Sequence, residues 1–250
     1  MLTLTSLGGA GTVTGSKHLL AHNDTRILID CGLFQGLKNL RDLNWEPLPI
    51  DPSSIDAVVL THAHLDHSGY LPRLVREGFR GKIFATAATS DIAQLILMDA
   101  AHLNEKDAEY ANRKGFSKHK PALPLYGSHD AERALECFTS IPFGDVVRLP
   151  GGATLRFRHA GHILGAATAD IEWGGRRIAF SGDIGRYDDP VLPDPEVVPD
   201  ADYVLVESTY GNRLHDPADP TEALGAIVKR TVERGGTLVI PAFAVGRAQS

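Results

Sequence analysis

The run Thr61-His62-Ala63-His64-Leu65-Asp66-His67 places three imidazoles and a carboxylate within six residues, directly after the apolar run Ala57-Val58-Val59-Leu60. A short buried strand that stops at Thr61 delivers all four groups to one end of a sheet. A helix reading over residues 66–75 follows, with Pro72 in or near its first turns. Imidazole nitrogen and carboxylate oxygen are the ligands zinc accepts, and an Asp between His residues can serve a second metal. A loop that is merely His-rich would not come with a strand before it and a helix signal after it. The pattern predicts a metal site at a strand end.

Three further strings follow the same logic. Thr25-Arg26-Ile27-Leu28-Ile29-Asp30-Cys31-Gly32 is a strand ending in Asp. His159-Ala160-Gly161-His162-Ile163-Leu164-Gly165-Ala166 is a Gly-rich segment with two histidines, and Ile178-Ala179-Phe180-Ser181-Gly182-Asp183-Ile184-Gly185 is a strand ending in a turn acid. Singly, each is ordinary: an Asp after a strand is often only a turn residue. In this order, with the histidine run between the first and second, they closely resemble the four motifs of the metallo-β-lactamase superfamily. The resemblance implies an α/β protein with the four-layer αββα fold. It makes His62, His64, Asp66, His67, His162 and Asp183 metal ligands, with Asp183 able to bridge two ions. Asp30 becomes a residue that orients the histidine loop without binding metal. His159 is the weaker member of its pair, and His18, His22, His102, His119, His129 and His215 read as surface or structural.

Two other signatures fail. Gly8-Gly9-Ala10-Gly11-Thr12-Val13-Thr14-Gly15-Ser16-Lys17 lacks the spacing of a phosphate loop and reads as a tight turn between N-terminal strands. There is no His-Glu-x-x-His and no Gly-x-Ser-x-Gly, so zincin and serine-hydrolase readings have no support. Cys31 and Cys137 are the only cysteines among 250 residues and form no Cys-x-x-Cys, which points to a reducing cytoplasm rather than a disulfide framework. No segment is apolar for long enough to span a membrane. The net charge of -6 exerts no global pull on phosphate, so a nucleic-acid partner needs a local basic groove.

Periodicity predicts short strands in the first thirty residues, a helix from about 89 to 114 with Ile92, Leu95, Ile96 and Met98 toward one buried face, a helix over 128–138, and four strands between 145 and 181. Asp219-Pro220-Thr221-Glu222 is a helix start, with an N-cap Asp and Pro at the first helical position. That helix ends at Gly235-Gly236, before an expected strand over 237–240.

After Asp183, Val204-Leu205-Val206-Glu207-Ser208-Thr209-Tyr210-Gly211-Asn212-Arg213 puts an acid at the end of an apolar strand. This string resembles the first diagnostic motif of the β-CASP branch, the nucleases related to the mRNA 3′-end cleavage factor and bacterial RNase J. The closing Pro241-Ala242-Phe243-Ala244-Val245-Gly246-Arg247-Ala248-Gln249 resembles the start of their inserted domain, with Arg247 equally a phosphate contact or a surface arginine. By this resemblance residues 1–210 are the metallo-β-lactamase domain and 211–250 the beginning of the β-CASP insertion. Family members continue beyond such a point, so the chain reads as C-terminally shortened, with one metal position complete and the second short of its last ligand.

The resemblance implies a zinc-dependent, endonucleolytic ribonuclease with two zinc ions in the full family pattern and one in a chain of this length. Two ions held together acidify a water and clamp a phosphate oxygen. Asp66 would then hold the water, and Glu207 would belong to an acid–histidine pair that protonates the leaving oxygen. The shortened chain is expected to be weak or inactive. Single-stranded RNA is the expected partner, with a homodimer or an RNA-processing complex as the assembly. The rivals are a small-molecule hydrolase of the same fold, such as a glyoxalase II-like thioesterase or a lactonase, and a non-catalytic subunit that binds RNA or a protein partner.

Overall fold

The protein is described by a computed structural model over residues 1–214 and 219–246. It divides into two compact units, Met1–Glu207 and Ser208–Ser250, against an expected boundary at 210/211. His215 and Arg247 lie outside the described residues.

The first unit contains two sheets. β1 (Leu2–Gly8), β2 (Lys17–His22), β3 (Thr25–Ile29), β4 (Ala57–Val59), β5 (Lys82–Ala85) and β6 (Phe138–Ser140) lie side by side in chain order. The first three are antiparallel neighbours; β3 to β6 run parallel. The second sheet has the order β11-β10-β9-β8-β7 and is built from β7 (Val146–Arg148), β8 (Thr154–His159), β9 (Ala167–Trp173), β10 (Arg176–Phe180) and β11 (Tyr203–Leu205). The Gly-rich segment before Lys17 is the connection between the antiparallel β1 and β2.

Strand alternation sorts the apolar residues into two cores. Ile27 and Ile29 of β3 and Ala57 and Val59 of β4 face the second sheet, where they meet Phe157, Ala169, Ile171 and Phe180. Their neighbours Leu28, Val58 and Leu60 point the other way, onto helices. A sheet apolar on both faces must be covered on both. Each such fully buried aliphatic side chain contributes on the order of 2 kcal/mol.

The covering helices are α3 (Leu71–Arg76), α4 (Ala87–Lys114) and α5 (Ser128–Leu135), which supply Leu71, Leu74, Leu97, Ala101, Ala131 and Ala134 to that core. Helix, sheet and sheet give three of the four expected layers. α4 buries a stripe of mostly small residues (Ala93, Leu97, Ala100, Ala101, Ala108 and Ala111), with Ile92, Ile96 and Met98 partly buried alongside. Leu95, expected on that face, is 70% exposed.

Two other expectations change. The helix over 66–75 is two helices, α2 (Leu65–Ser68) and α3, after the isolated α1 (Lys38–Asp42). Pro72 has no N–H to give and its ring crowds the carbonyl one turn back, which breaks the helix at Gly69-Tyr70. The Tyr70 N–H donates instead to the Cys31 carbonyl at 2.9 Å. The helix expected over 128–138 stops at Leu135, and Phe138 begins β6.

In the second unit α6 (Pro220–Glu233) starts as expected, the Asp219 carboxylate accepting from the Thr221 N–H at 2.8 Å. Residues 237–240 do not form a strand. A β-strand exists only by pairing with a neighbour, and no described strand pairs with this segment. Among the described residues, no helix is long and apolar enough to cross a membrane.

Candidate metal centre

β4 ends at Val59, and the chain leaves the sheet edge carrying His62 and His64 on the loop and Asp66 and His67 on α2. The parallel pairing of β3 with β4 sets Asp30 beside this loop. Asp30 has φ of 57°, a left-handed conformation that Asp tolerates better than most residues. Its Oδ1 accepts from the Thr61 N–H at 2.8 Å, and its Oδ2 accepts from the Thr61 hydroxyl at 3.0 Å and meets His67 Nδ1 at 2.7 Å. One carboxylate thereby fixes both the start and the end of the histidine run.

The second sheet supplies the rest. The loop between β8 and β9 carries His162, and the turn after β10 carries Asp183. Ligand atoms of His62, His64, His162 and Asp183 all lie within 4.8 Å of one another. Metal–ligand bonds of about 2.0–2.2 Å in a tetrahedral shell set neighbouring ligand atoms about 3.3–3.6 Å apart. The distances bracket that value: His162 Nε2 to His64 Nδ1 is 3.1 Å, His162 Nε2 to Asp183 Oδ2 is 3.5 Å, and His62 Nε2 to Asp183 Oδ2 is 3.8 Å. The other oxygen of Asp183 faces a second group. Its Oδ1 is 3.2 Å from His67 Nε2, which is itself 3.9 Å from Asp66 Oδ2.

The electrostatics fit a cation. His62 is completely buried, and its Nε2 has no hydrogen-bond partner, a costly state for a polar atom unless something else satisfies it. Burial, reinforced by the neighbouring histidines, holds His62 well below its ordinary pKa and keeps it a neutral donor. Burial also lowers His162, against the charges of Asp183 and Glu207. For His67 burial acts in the same sense, but the Asp30 charge and hydrogen bonds to Asp183 and Asp30 outweigh it and raise the pKa well above the usual value. Burial raises the Asp66 carboxyl; it also opposes ionisation of Asp183, which its His67 contacts nevertheless hold below the ordinary value. The residues present suit a metal ion.

Residues 25–234 match the family model described as a β-lactamase superfamily domain. The chain belongs to the metallo-β-lactamase superfamily. Among curated proteins of that superfamily it is 41% identical over 249 residues to ribonuclease TTHA0252 of Thermus thermophilus, covering 99% of this chain and 53% of that protein. It is 36% identical to transcription termination factor FttA of Methanosarcina mazei, over 98% of this chain and 38% of the relative. It is 33% identical to cleavage and polyadenylation specificity factor 73 of Drosophila melanogaster, over 100% of this chain and 35% of the relative. The chain thus spans about half the length, or less, of these relatives. A solved structure, a protein of unknown function from Enterococcus faecalis V583, superposes with a TM-score of 0.55 at 18% identity, covering 93% of this chain and 57% of that one.

Glu207 sits two residues beyond β11, its N–H donating to Ser181 Oγ at 3.0 Å, and its charge reaches His162. His159 is not in the cluster: its ring stacks on Phe143 at 3.7 Å. His18 and His22 pack near Phe180 and Trp173, and His129 is exposed on α5. Sequence reading passed over the supports of the His162 loop, where the Thr86 and Thr89 hydroxyls both donate to the Gly165 carbonyl, at 2.7 and 2.8 Å. The detectable signal was two threonines three apart at the start of a helix.

Proposed function

We propose that this chain carries the metal-dependent hydrolytic centre of a β-CASP ribonuclease, acting endonucleolytically on single-stranded RNA with zinc as its metal. The observation that carries this reading is the shared Asp183: one oxygen faces the group His62, His64 and His162, the other faces His67 beside Asp66. That is the arrangement of two adjacent cation positions with a common carboxylate. The relatives at 41% and 33% identity, named as a ribonuclease and as a cleavage factor, support RNA as the substrate.

Zinc bound there would supply Lewis acidity toward a phosphate oxygen and a water of lowered pKa. The chain's own residues do the rest. His62, His64, His162 and Asp183 would hold the first position; Asp66, His67 and Asp183 would hold the second. Asp30 and Thr61 keep the loop between them in register. Asp66 would accept a hydrogen bond from the attacking water and aim it at phosphorus. Attack breaks the bond from phosphorus to the 3′ oxygen, which leaves needing a proton. Glu207, whose charge reaches His162, would serve as the acid of an acid–histidine pair in that transfer. The products are a 5′-phosphate and a 3′-hydroxyl.

The deciding experiment offers zinc-loaded protein single-stranded RNA and, separately, a lactoylglutathione thioester. Weak cleavage of RNA to 5′-phosphate ends, lost in Asp183→Ala, is expected. Thioester turnover at ordinary enzymatic rates with intact RNA would replace this reading with that of a small-molecule hydrolase. RNA binding without either reaction would replace it with a non-catalytic role.

A further inference from the structure

The chain carries 31 acidic and 25 basic residues, yet residues 110–129 contain no aspartate or glutamate, while Arg113, Lys114, Lys118 and Lys120 crowd into positions 113–120. The fold concentrates them further. α4 ends at Gly115, whose φ of 70° turns the chain back. The Asn112 side chain then clasps the returning loop: its Oδ1 accepts from the Ala122 N–H at 2.7 Å and its Nδ2 donates to the Ala122 carbonyl at 2.9 Å. The loop stands beside the last helical turn, with an open depression of about 240 Å³ between them.

Two aromatic rings stand among these cations. Tyr110 is 47% and Phe116 67% exposed, with ring centroids 5.9 Å apart. The Arg113 guanidinium lies 5.4 Å from the Tyr110 centroid and the Lys114 amine 6.0 Å. Arg113 and Lys114 alone would suit the negative end of a helix dipole. That effect fades beyond the last turn, so it accounts neither for Lys118 and Lys120 nor for two open rings. The nearest acids on α4 lie before this segment, and one of them, Glu109, is already paired with Lys106 at 3.1 Å.

We propose that this end of α4 is a second nucleic-acid contact, separate from the metal centre, which holds single-stranded RNA by its phosphates and by base stacking on Tyr110 and Phe116. Cations beside exposed aromatic rings are the means by which proteins grip single strands without reading sequence. α4 also links the two places: its first turn holds Gly165 in the His162 loop, and its 28 residues extend about 40 Å. At about 3.4 Å per stacked nucleotide, a strand needs about a dozen nucleotides to engage both. The choice of RNA rests on the proposed function; the binding surface does not.

The test uses the full chain stripped with EDTA, so that no cleavage intervenes, and a fluorescein-labelled uridine 20-mer followed by anisotropy over a salt series. Lys114→Glu, Lys118→Glu and Lys120→Glu combined should weaken binding about tenfold at low salt. They should also make the log K against log salt slope shallower by about 2, near 0.7 for each phosphate no longer neutralised. Tyr110→Ala with Phe116→Ala should weaken binding about tenfold and leave the slope unchanged. A uridine 6-mer, too short at about 20 Å to reach the metal centre, should lose affinity in both variants by the same factors, so failure of the hydrolase reading leaves this result standing. Unchanged affinity and slope in the triple variant would overturn the proposal. So would polyglutamate of matched charge binding as tightly as the RNA with the aromatic variant unaffected, which would make this an acidic-protein surface.

Discussion

Asp30 Oδ2 lies 2.7 Å from Nδ1 of His67, and the same carboxylate takes the N–H and hydroxyl of Thr61. It is the acceptor that decides which nitrogen of His67 is left for a metal. Asp30→Ala should lower affinity at the Asp66 and His67 position by about 10–100-fold. Leaving the buried Thr61 N–H unsatisfied should also cost about 1–3 kcal/mol of stability. Chelator-competition titration and thermal melting read the two effects separately. Asp30→Asn, which keeps one acceptor oxygen, should recover much of the stability and little of the affinity.

The two proposed metal positions should load differently with pH. His62 is held neutral, so binding there displaces little proton. His67 is held protonated in the metal-free protein, so metal must expel a proton to reach it. The raised pKa of His67 stabilises the metal-free fold fully below about pH 6.5, and this contribution is lost as pH rises through the folded value. The depressed pKa of His62 acts oppositely, removing stability as pH falls below the same point. Titration calorimetry in buffers of different ionisation enthalpy should show a first ion binding with little proton release and a second, weaker ion releasing about one. Equal release at both steps would refute the assignment of His67. His62→Ala with His64→Ala should abolish the tighter step.

Gly32 has no room for a side chain: a Cβ there would stand 1.6 Å from the Asp66 carbonyl oxygen. The obstacle is backbone at Asp66, in the proposed second metal position, and cannot rotate away. Gly32→Ala should therefore lose at least about 3 kcal/mol, above the usual range for overpacking, and metal at the Asp66 and His67 position with it. Gly225→Ala on α6, where nothing lies within 4 Å, should be neutral or gain up to about 1 kcal/mol. Denaturant melts with metal analysis compare the two.

Lys17 is buried, its Nζ 4.6 Å from the Phe34 centroid and 5.0 Å from that of Tyr70. Burial brings its pKa down to about 8, against a small opposing pull from Cys31. The folded value lies below the unfolded one, so the cost of burying charge is full below pH 8 and is relieved as pH rises from 8 to about 10.5. It amounts to about 3 kcal/mol at neutral pH, partly offset by the two rings. Lys17→Met should melt higher than wild type at pH 7, and the gap should close by pH 10. A variant less stable than wild type at pH 7 would contradict this.

Much of the centre is legible in the sequence because each ligand follows a strand and the strands announce themselves by apolar runs. His62, His64, His162 and Asp183 need only the right strand ends to meet, Asp66 and His67 follow on the same loop and short helix, and pairing β3 with β4 brings Asp30 beside His67. What escapes is whatever depends on a neighbour. The segment 237–240 has strand composition and no described partner. Pro72 splits a helix whose apolar pattern runs on through it. Lys17 sits in register with Leu19 on a strand face turned toward the helices, and only the rings of Phe34 and Tyr70 make that tolerable. The Thr86 and Thr89 support of Gly165 joins residues over seventy positions apart, beyond any local pattern.

His62 and His64 hang from the first sheet, His162 and Asp183 from the second. An ion seated among them would rivet together two layers that otherwise meet mainly through hydrocarbon, with the Ala167 N–H donating to the Thr61 carbonyl at 2.9 Å between them. At 100 times its dissociation constant, such a ligand adds about 2.7 kcal/mol to the folded state. Metal supply would then act as a checkpoint on maturation: chains made under scarcity would open between the layers more often and meet proteases there first.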